Sequence, residues 1–95
     1  MSGRIIPIAV LRLGRVVATP NVLERLSEED IQSAMRRHQA GNWGDLETAD
    51  WEANDRALTQ GGRIVSAYKA TNGTRFWIIT EADREVTTVL LPEDY

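Results

Sequence analysis

The chain has 95 residues, 42% of them hydrophobic and 26% charged, with a net charge of −3 at neutral pH. That length and balance describe one globular domain, large enough to bury roughly 60–65% of its unfolded-chain surface and fold without staples. Cysteine is absent and histidine occurs once, which excludes a disulfide framework and a thiolate zinc site and leaves too few imidazoles for a histidine-based one; no metal and no cofactor is expected.

At the start of the chain, the apolar run from Ile5 to Leu11 is flanked by arginines. It is too short for a membrane span, which needs about 20 apolar residues, and has neither the core length nor the cleavage site of a signal peptide. A cytoplasmic protein is expected, without membrane contact. Residues 4–13 alternate imperfectly as a strand, which Pro7 confines to a sheet edge or a strand start. Gly14 and Arg15 then bend the chain before Val16-Val17-Ala18. Thr19-Pro20 signals a helix start, with Thr as N-cap and Pro where its missing N–H costs nothing; the helix it opens runs from Pro20 to Leu26. Ser27-Glu28-Glu29-Asp30 restarts a helix with acidic groups at the positive end of its dipole. Ile31, Ala34, Met35 and His38 recur on one side of it, and Gly41 terminates it. After a loop holding Trp43, Thr48 or Asp50 caps a third helix over residues 50–59. Trp51 and Leu58 are expected against the sheet, with Asn54 between them bonded to backbone, before Gly61-Gly62 stops the helix.

The last third carries three β-rich runs, residues 63–70, 75–81 and 86–91. Asn72-Gly73 between the first two is a strong signal for a two-residue type I′ turn, which needs φ > 0 at both central residues. That turn pairs Thr71 with Thr74 and sets Tyr68 opposite Trp77, Ser66 opposite Ile79 and Ala67 opposite Ile78. A second turn around Asp83-Arg84 sets Thr88 opposite Ile79 and Leu90 opposite Trp77. Both faces of the resulting meander are too apolar to stand in water. The expected fold is therefore a small single α+β domain over residues 1–95: a C-terminal antiparallel three-stranded meander plus an N-terminal strand, covered by two or three helices.

His38 is the one side chain whose unperturbed pKa lies near neutrality. With Asp45, Arg63, Ser66 and Thr87 it could form an acid–base site for phosphodiester cleavage, the imidazole moving the proton and the guanidinium clamping phosphate. The plainer reading is a histidine at a helix end, hydrogen-bonded to a loop carbonyl and helping to hold Trp43. Glu47, Asp50 and Glu52 read as caps and solvated charge, since their spacing matches no calcium loop. Trp43, Tyr68 and Tyr95 are the candidate binding residues, because large aromatics dominate interaction hot spots; the tail Pro92-Glu93-Asp94-Tyr95 can also pack its aromatic end back onto the sheet. The acidic balance argues against a dedicated nucleic-acid binder, although the many arginines leave room for a local basic patch.

With His38-Gln39-Ala40-Gly41-Asn42-Trp43-Gly44 the chain also resembles a known group, and the likeness covers nearly the whole chain from Leu13. Asp50, Asn54, Ala57-Leu58, Gly61-Gly62-Arg63, Ser66-Ala67-Tyr68, Trp77 to Arg84, Thr87-Thr88 and Leu90-Leu91-Pro92-Glu93-Asp94-Tyr95 carry the likeness. The group comprises short bacterial reading frames on plasmids and other mobile elements, described as "plasmid-related protein" or "type I restriction endonuclease subunit M". It has Asp where this chain has Asn42. The resemblance implies mobile-element ancestry and a neighbourhood of defence or transfer genes. It does not imply methyl transfer, which needs a cofactor-binding domain several times this length. Two functions are therefore expected to compete. One is a non-enzymatic accessory protein that binds another protein, such as an inhibitor of a host nucleic-acid-processing or defence system. The other is a small toxin-like nuclease using His38 and Arg63. A homodimer through an uncovered sheet face is a further possibility.

Overall fold

The computed structural model describes residues 10–95. Strand β1 (Arg15–Ala18) leads into helices α1 (Pro20–Arg25), α2 (Glu28–Gln39) and α3 (Thr48–Gln60). Strands β2 (Ile64–Lys69), β3 (Arg75–Thr80) and β4 (Val86–Leu90) follow, and a single 3₁₀ turn (Pro92–Asp94) ends the chain. The four strands form one mixed sheet in the order β1-β4-β3-β2, with β1 parallel to β4 and the other pairs antiparallel. This is the expected α+β architecture. Most of the strand expected over residues 4–13 falls outside the described residues, and its described end is not a strand. There Val10 N–H donates to the Gln39 carbonyl at the end of α2, and Leu11 is buried. Among the described residues no helix is long and apolar enough to cross a membrane.

The helix starts follow the sequence signals. Thr19 accepts a hydrogen bond from Val22 N–H and Ser27 from Asp30 N–H, each relieving an amide that the first helical turn leaves unpaired. α3 departs from expectation: it begins at Thr48, and Glu47 stands at the N-cap without a side-chain bond. All three helices cover one face of the sheet. Val22, Leu26 and Ala34 pack on Tyr68, Phe76, Ile78, Val89 and Leu91, with Ile31 and Met35 at the margin. A second cluster joins Trp43, Leu11, Ala57 and Ile64, with Trp51 and Leu58 half-buried against it.

The β2–β3 register differs from the expected one by one residue. Ala67 pairs with Trp77, Tyr68 with Phe76, Ser66 with Ile78 and Val65 with Ile79. The loop is three residues, not two. Ala70 N–H bonds the Thr74 carbonyl, Gly73 N–H bonds the Ala70 carbonyl, and Gly73 alone among the loop residues is left-handed, at φ 89°. This is a turn followed by a glycine bulge, the common three-residue hairpin connection. Its cause lies outside the hairpin. Asp30 on α2 accepts from both Thr71 N–H and Thr71 Oγ1, and Asn72 Nδ2 donates to the Arg25 carbonyl, so the helices fix the loop's shape. Because side chains alternate, the one-residue shift turns all of β2 over. Tyr68 and Trp77 lie on opposite faces, and Ser66 lies under the helices. The β3–β4 register is as expected, with Trp77 opposite Leu90 and Ile79 opposite Thr88.

β2 is an edge strand, and its outward main chain is engaged at Val65 and Ala67. Asn54 Nδ2 donates to the Val65 carbonyl while its Oδ1 accepts from Val65 N–H. Ala67 N–H donates to the Trp43 carbonyl, and the Ala67 carbonyl accepts from Asp45 N–H. Gly44 makes this close approach possible. It is left-handed, at φ 77°, and a Cβ there would run into the Ala67 carbonyl and the Tyr68 ring. Along this stretch the edge is blocked from pairing with other chains.

Candidate functional site

His38 reaches the sheet from the last turn of α2 and is fully buried. Its Nδ1 lies 2.5 Å from Ser66 Oγ on β2, and its Nε2 lies 2.8 Å from Thr80 Oγ1 on β3. Thr80 Oγ1 is 2.8 Å from Thr87 Oγ1 on β4, and Thr87 Oγ1 donates to the Leu13 carbonyl at 2.7 Å. Hydrogen counting fixes the direction of this chain of bonds. The Leu13 carbonyl can only accept, so it takes Thr87's one hydroxyl hydrogen. Thr87 Oγ1 then accepts from Thr80, and Thr80 Oγ1 accepts from the imidazole. The proton of the neutral ring therefore sits on Nε2, and Nδ1 at 2.5 Å takes the one Ser66 hydroxyl hydrogen ahead of the Ile78 carbonyl at 3.4 Å. Burial pushes the His38 pKa down to about 4, since a desolvated imidazolium here would have no counter-charge among its hydroxyl partners.

The hydroxyls and the imidazole thus form a relay running from β2 across β3 and β4 to the segment entering β1. Every polar side-chain atom buried in the described residues has a partner. Both ring nitrogens are occupied and no solvent reaches them, so His38 has neither a free lone pair nor an open route for a substrate proton. Its ring also meets Trp43 edge-on, 5.6 Å between centroids.

Of the residues grouped with His38 from the sequence, Ser66 and Thr87 join it in this relay. Thr80, at its centre, went unrecognised; the signal for it was the alternation Phe76, Ile78, Thr80, readable once the register is right. Asp45 and Arg63 take no part. Asp45 is exposed, with its main-chain N–H on the β2 edge. Arg63 is exposed and pairs with Glu81 at 3.4 Å and with Tyr95.

The candidate binding aromatics divide likewise. Trp43 is fully buried, its Nε1–H donating to Asp55 at 2.9 Å. Tyr68 is buried and donates to the Asn42 carbonyl at 2.7 Å, and burial pushes its phenol up to about 12. Tyr95 is 70% exposed.

The sheet face away from the helices is the second candidate region. Strand alternation gathers Val65, Ala67, Trp77, Ile79, Thr88 and Leu90 there. Ile79 and Leu90 are buried all the same. The C-terminal turn returns along β3, anchored by Asp94, whose carboxylate accepts from Thr19, Asn21 and Leu91 N–H. The Thr19 hydroxyl, foremost among these donors, holds the Asp94 pKa below the usual carboxylate value. The turn sets the Tyr95 ring edge-on to Trp77, 5.8 Å between centroids. Arg63 lies over the same ring at 5.3 Å and donates to its hydroxyl at 2.7 Å.

Elsewhere, an open depression of about 420 Å³ between α1 and α2 is lined by Leu23, Leu26, Ile31 and Ala18, with Glu28 and Gln32 at its margin. Among the described residues no group of three His, Asp or Glu side chains is placed to hold a metal ion. Comparison of the chain with protein-family models, curated proteins and solved structures finds no match.

Proposed function

We propose that the protein is a non-enzymatic binding module that engages its partner through the helix-free face of the sheet. The observation that carries this reading is Tyr95. Its ring is largely exposed, yet a guanidinium on its face, a hydrogen bond at its hydroxyl and an indole at its edge hold it in one place. An ordered, exposed aromatic loses little freedom on binding, and Tyr, Trp and Arg are the types that dominate hot spots. The sealed relay at His38 supports the same reading from the other side, because the one group with a near-neutral reference pKa is committed to holding the fold. The likeness to plasmid-borne proteins supplies a setting: an accessory factor acting on a nucleic-acid-processing or defence system.

The test is site-specific photo-crosslinking in the native host. With p-benzoylphenylalanine in place of Tyr95, discrete adducts are expected; with the same group in place of Leu23, on the helix side, they are not. Adducts from the Leu23 position alone, or from neither, would sink the proposal.

A further inference from the structure

Charge is divided between the two sides of this molecule. The helices carry seven carboxylates against four arginines, whereas the four strands contain Arg15, Lys69 and Arg75 and no Asp or Glu. Strand alternation puts all three on the helix-free face: Arg15 beside Val86, and Lys69 and Arg75 at the hairpin end of β2 and β3. Arg63 adds a fourth cation at the other end of β2, where Glu81 pairs with it.

Lys69 and Arg75 are direct cross-strand partners, and both are exposed. Like charges so placed weaken a hairpin, so folding gives no reason for the pair. A negatively charged ligand does. Between Arg63 and Lys69 the strand spans about 20 Å, with Val65, Ala67 and Thr88 as a low floor and the Tyr95 ring standing exposed beside it.

We propose that this face binds single-stranded nucleic acid, with backbone phosphates on Lys69, Arg75 and Arg15 and a base stacked on Tyr95. The inference rests on the binding-module reading and names its partner. A four-stranded sheet with helices behind it, an exposed aromatic and a basic perimeter has the two terms such binding uses, phosphate attraction and base stacking. An acidic protein is the weaker fit. Of the large apolar side chains that stand exposed among the described residues, this face holds only Val17 and Tyr95, while Ile79 and Leu90 are already covered. A stable protein interface needs a larger apolar centre.

The experiment is fluorescence anisotropy with purified protein and a labelled oligothymidylate or oligouridylate of about 12 nucleotides, inside the roughly 4–16 nucleotide footprint of such platforms. With Glu81 offsetting Arg63, three net cations predict a log–log salt slope of roughly −2, or about a 15-fold loss of affinity between ~50 and ~200 mM salt. Lys69→Glu with Arg75→Glu should weaken binding at least about tenfold, and Tyr95→Ala about 5- to 100-fold. Arg56→Glu on α3 should leave binding unchanged, and melting curves establish that each variant is folded. No binding at low salt, or equal loss in Arg56→Glu and the sheet variants, overturns the proposal. Binding of poly-glutamate that matches the oligonucleotide in strength and variant sensitivity overturns it in favour of an acidic protein. If oligonucleotides fail while Tyr95-position crosslinks persist as nuclease-resistant protein adducts, the binding-module reading stands and this one falls.

Discussion

Acidification should loosen this fold through His38 before it touches the carboxylates. In the unfolded chain the imidazole takes up a proton near its ordinary value of 6.5, whereas in the folded chain it does so only near 4. Between those values the unfolded state binds more protons, so stability falls as the pH falls, from 6.5 downward, and the loss is complete below about 4. At 1.36 kcal/mol per unit, the difference amounts to about 3 kcal/mol. Carboxylates act in a separate window. Hydrogen bonds from Thr71 and Thr19 hold Asp30 and Asp94 below their ordinary value of 3.8, so what they contribute is lost only as the pH falls through still lower values. Urea denaturation of wild type and His38→Gln from pH 7.5 to 3, over the range set by these values, separates the two. Glutamine keeps one donor and one acceptor but does not titrate. The variant should be less stable at neutral pH and flat between 6.5 and 4, where wild type slopes. Nuclear magnetic resonance should find the proton on Nε2 and a midpoint near 4. A wild-type midpoint above 6, or parallel pH profiles for the two proteins, would refute the relay as described.

Two further perturbations test the supports of the sheet. Gly44→Ala should cost about 3 kcal/mol, because a left-handed backbone and a collision with the Ala67 carbonyl and Tyr68 ring add together; a denaturation midpoint within ~1 kcal/mol of wild type would show that the loop does not depend on the approach. Arg84 is the one non-glycine residue at positive φ among those described, and its guanidinium bonds the Ala57, Gly62 and Glu81 carbonyls, tying the β3–β4 turn to the end of α3. Arg84→Ala should cost roughly 2–3 kcal/mol, and Arg84→Gly about 1 kcal/mol less, since glycine relieves the left-handed strain; a glycine variant no more stable than the alanine one would contradict this account.

The parts of the structure that local chemistry decides were legible in the sequence. Thr19 and Ser27 as caps, Gly41 and Gly61 as stops, Asn54 reaching a backbone and the β3–β4 register all follow from residues close to the feature they specify. The β2–β3 register did not, because its determinants are remote. Asn72-Gly73 read alone favours a two-residue turn, but the Asp30 carboxylate and the Arg25 carbonyl hold Thr71 and Asn72 in a three-residue loop. Neither tie can be seen before α1 and α2 are laid across the sheet. That one-residue difference governs how the site reads. With β2 turned over, Ser66 would lie opposite Ile79 on the Trp77 face of the sheet, and His38, Ser66 and Thr87 could not meet; in the observed register they do, with Thr80 between them.

The basic face was hidden for a related reason. Its cations come from β1, β2 and β3, and they are diluted along a chain whose net charge is −3. Helix-borne carboxylates supply much of that negative charge, and the fold sends them to the opposite side. Net charge therefore describes the whole molecule correctly and this surface wrongly. In the proposed complex, phosphate recognition falls to the cross-strand Lys69–Arg75 pair, which stands there although like charges directly opposite one another weaken a hairpin. Among the described residues every buried polar side-chain atom is satisfied, whereas this like-charged pair at the rim of the sheet faces outward.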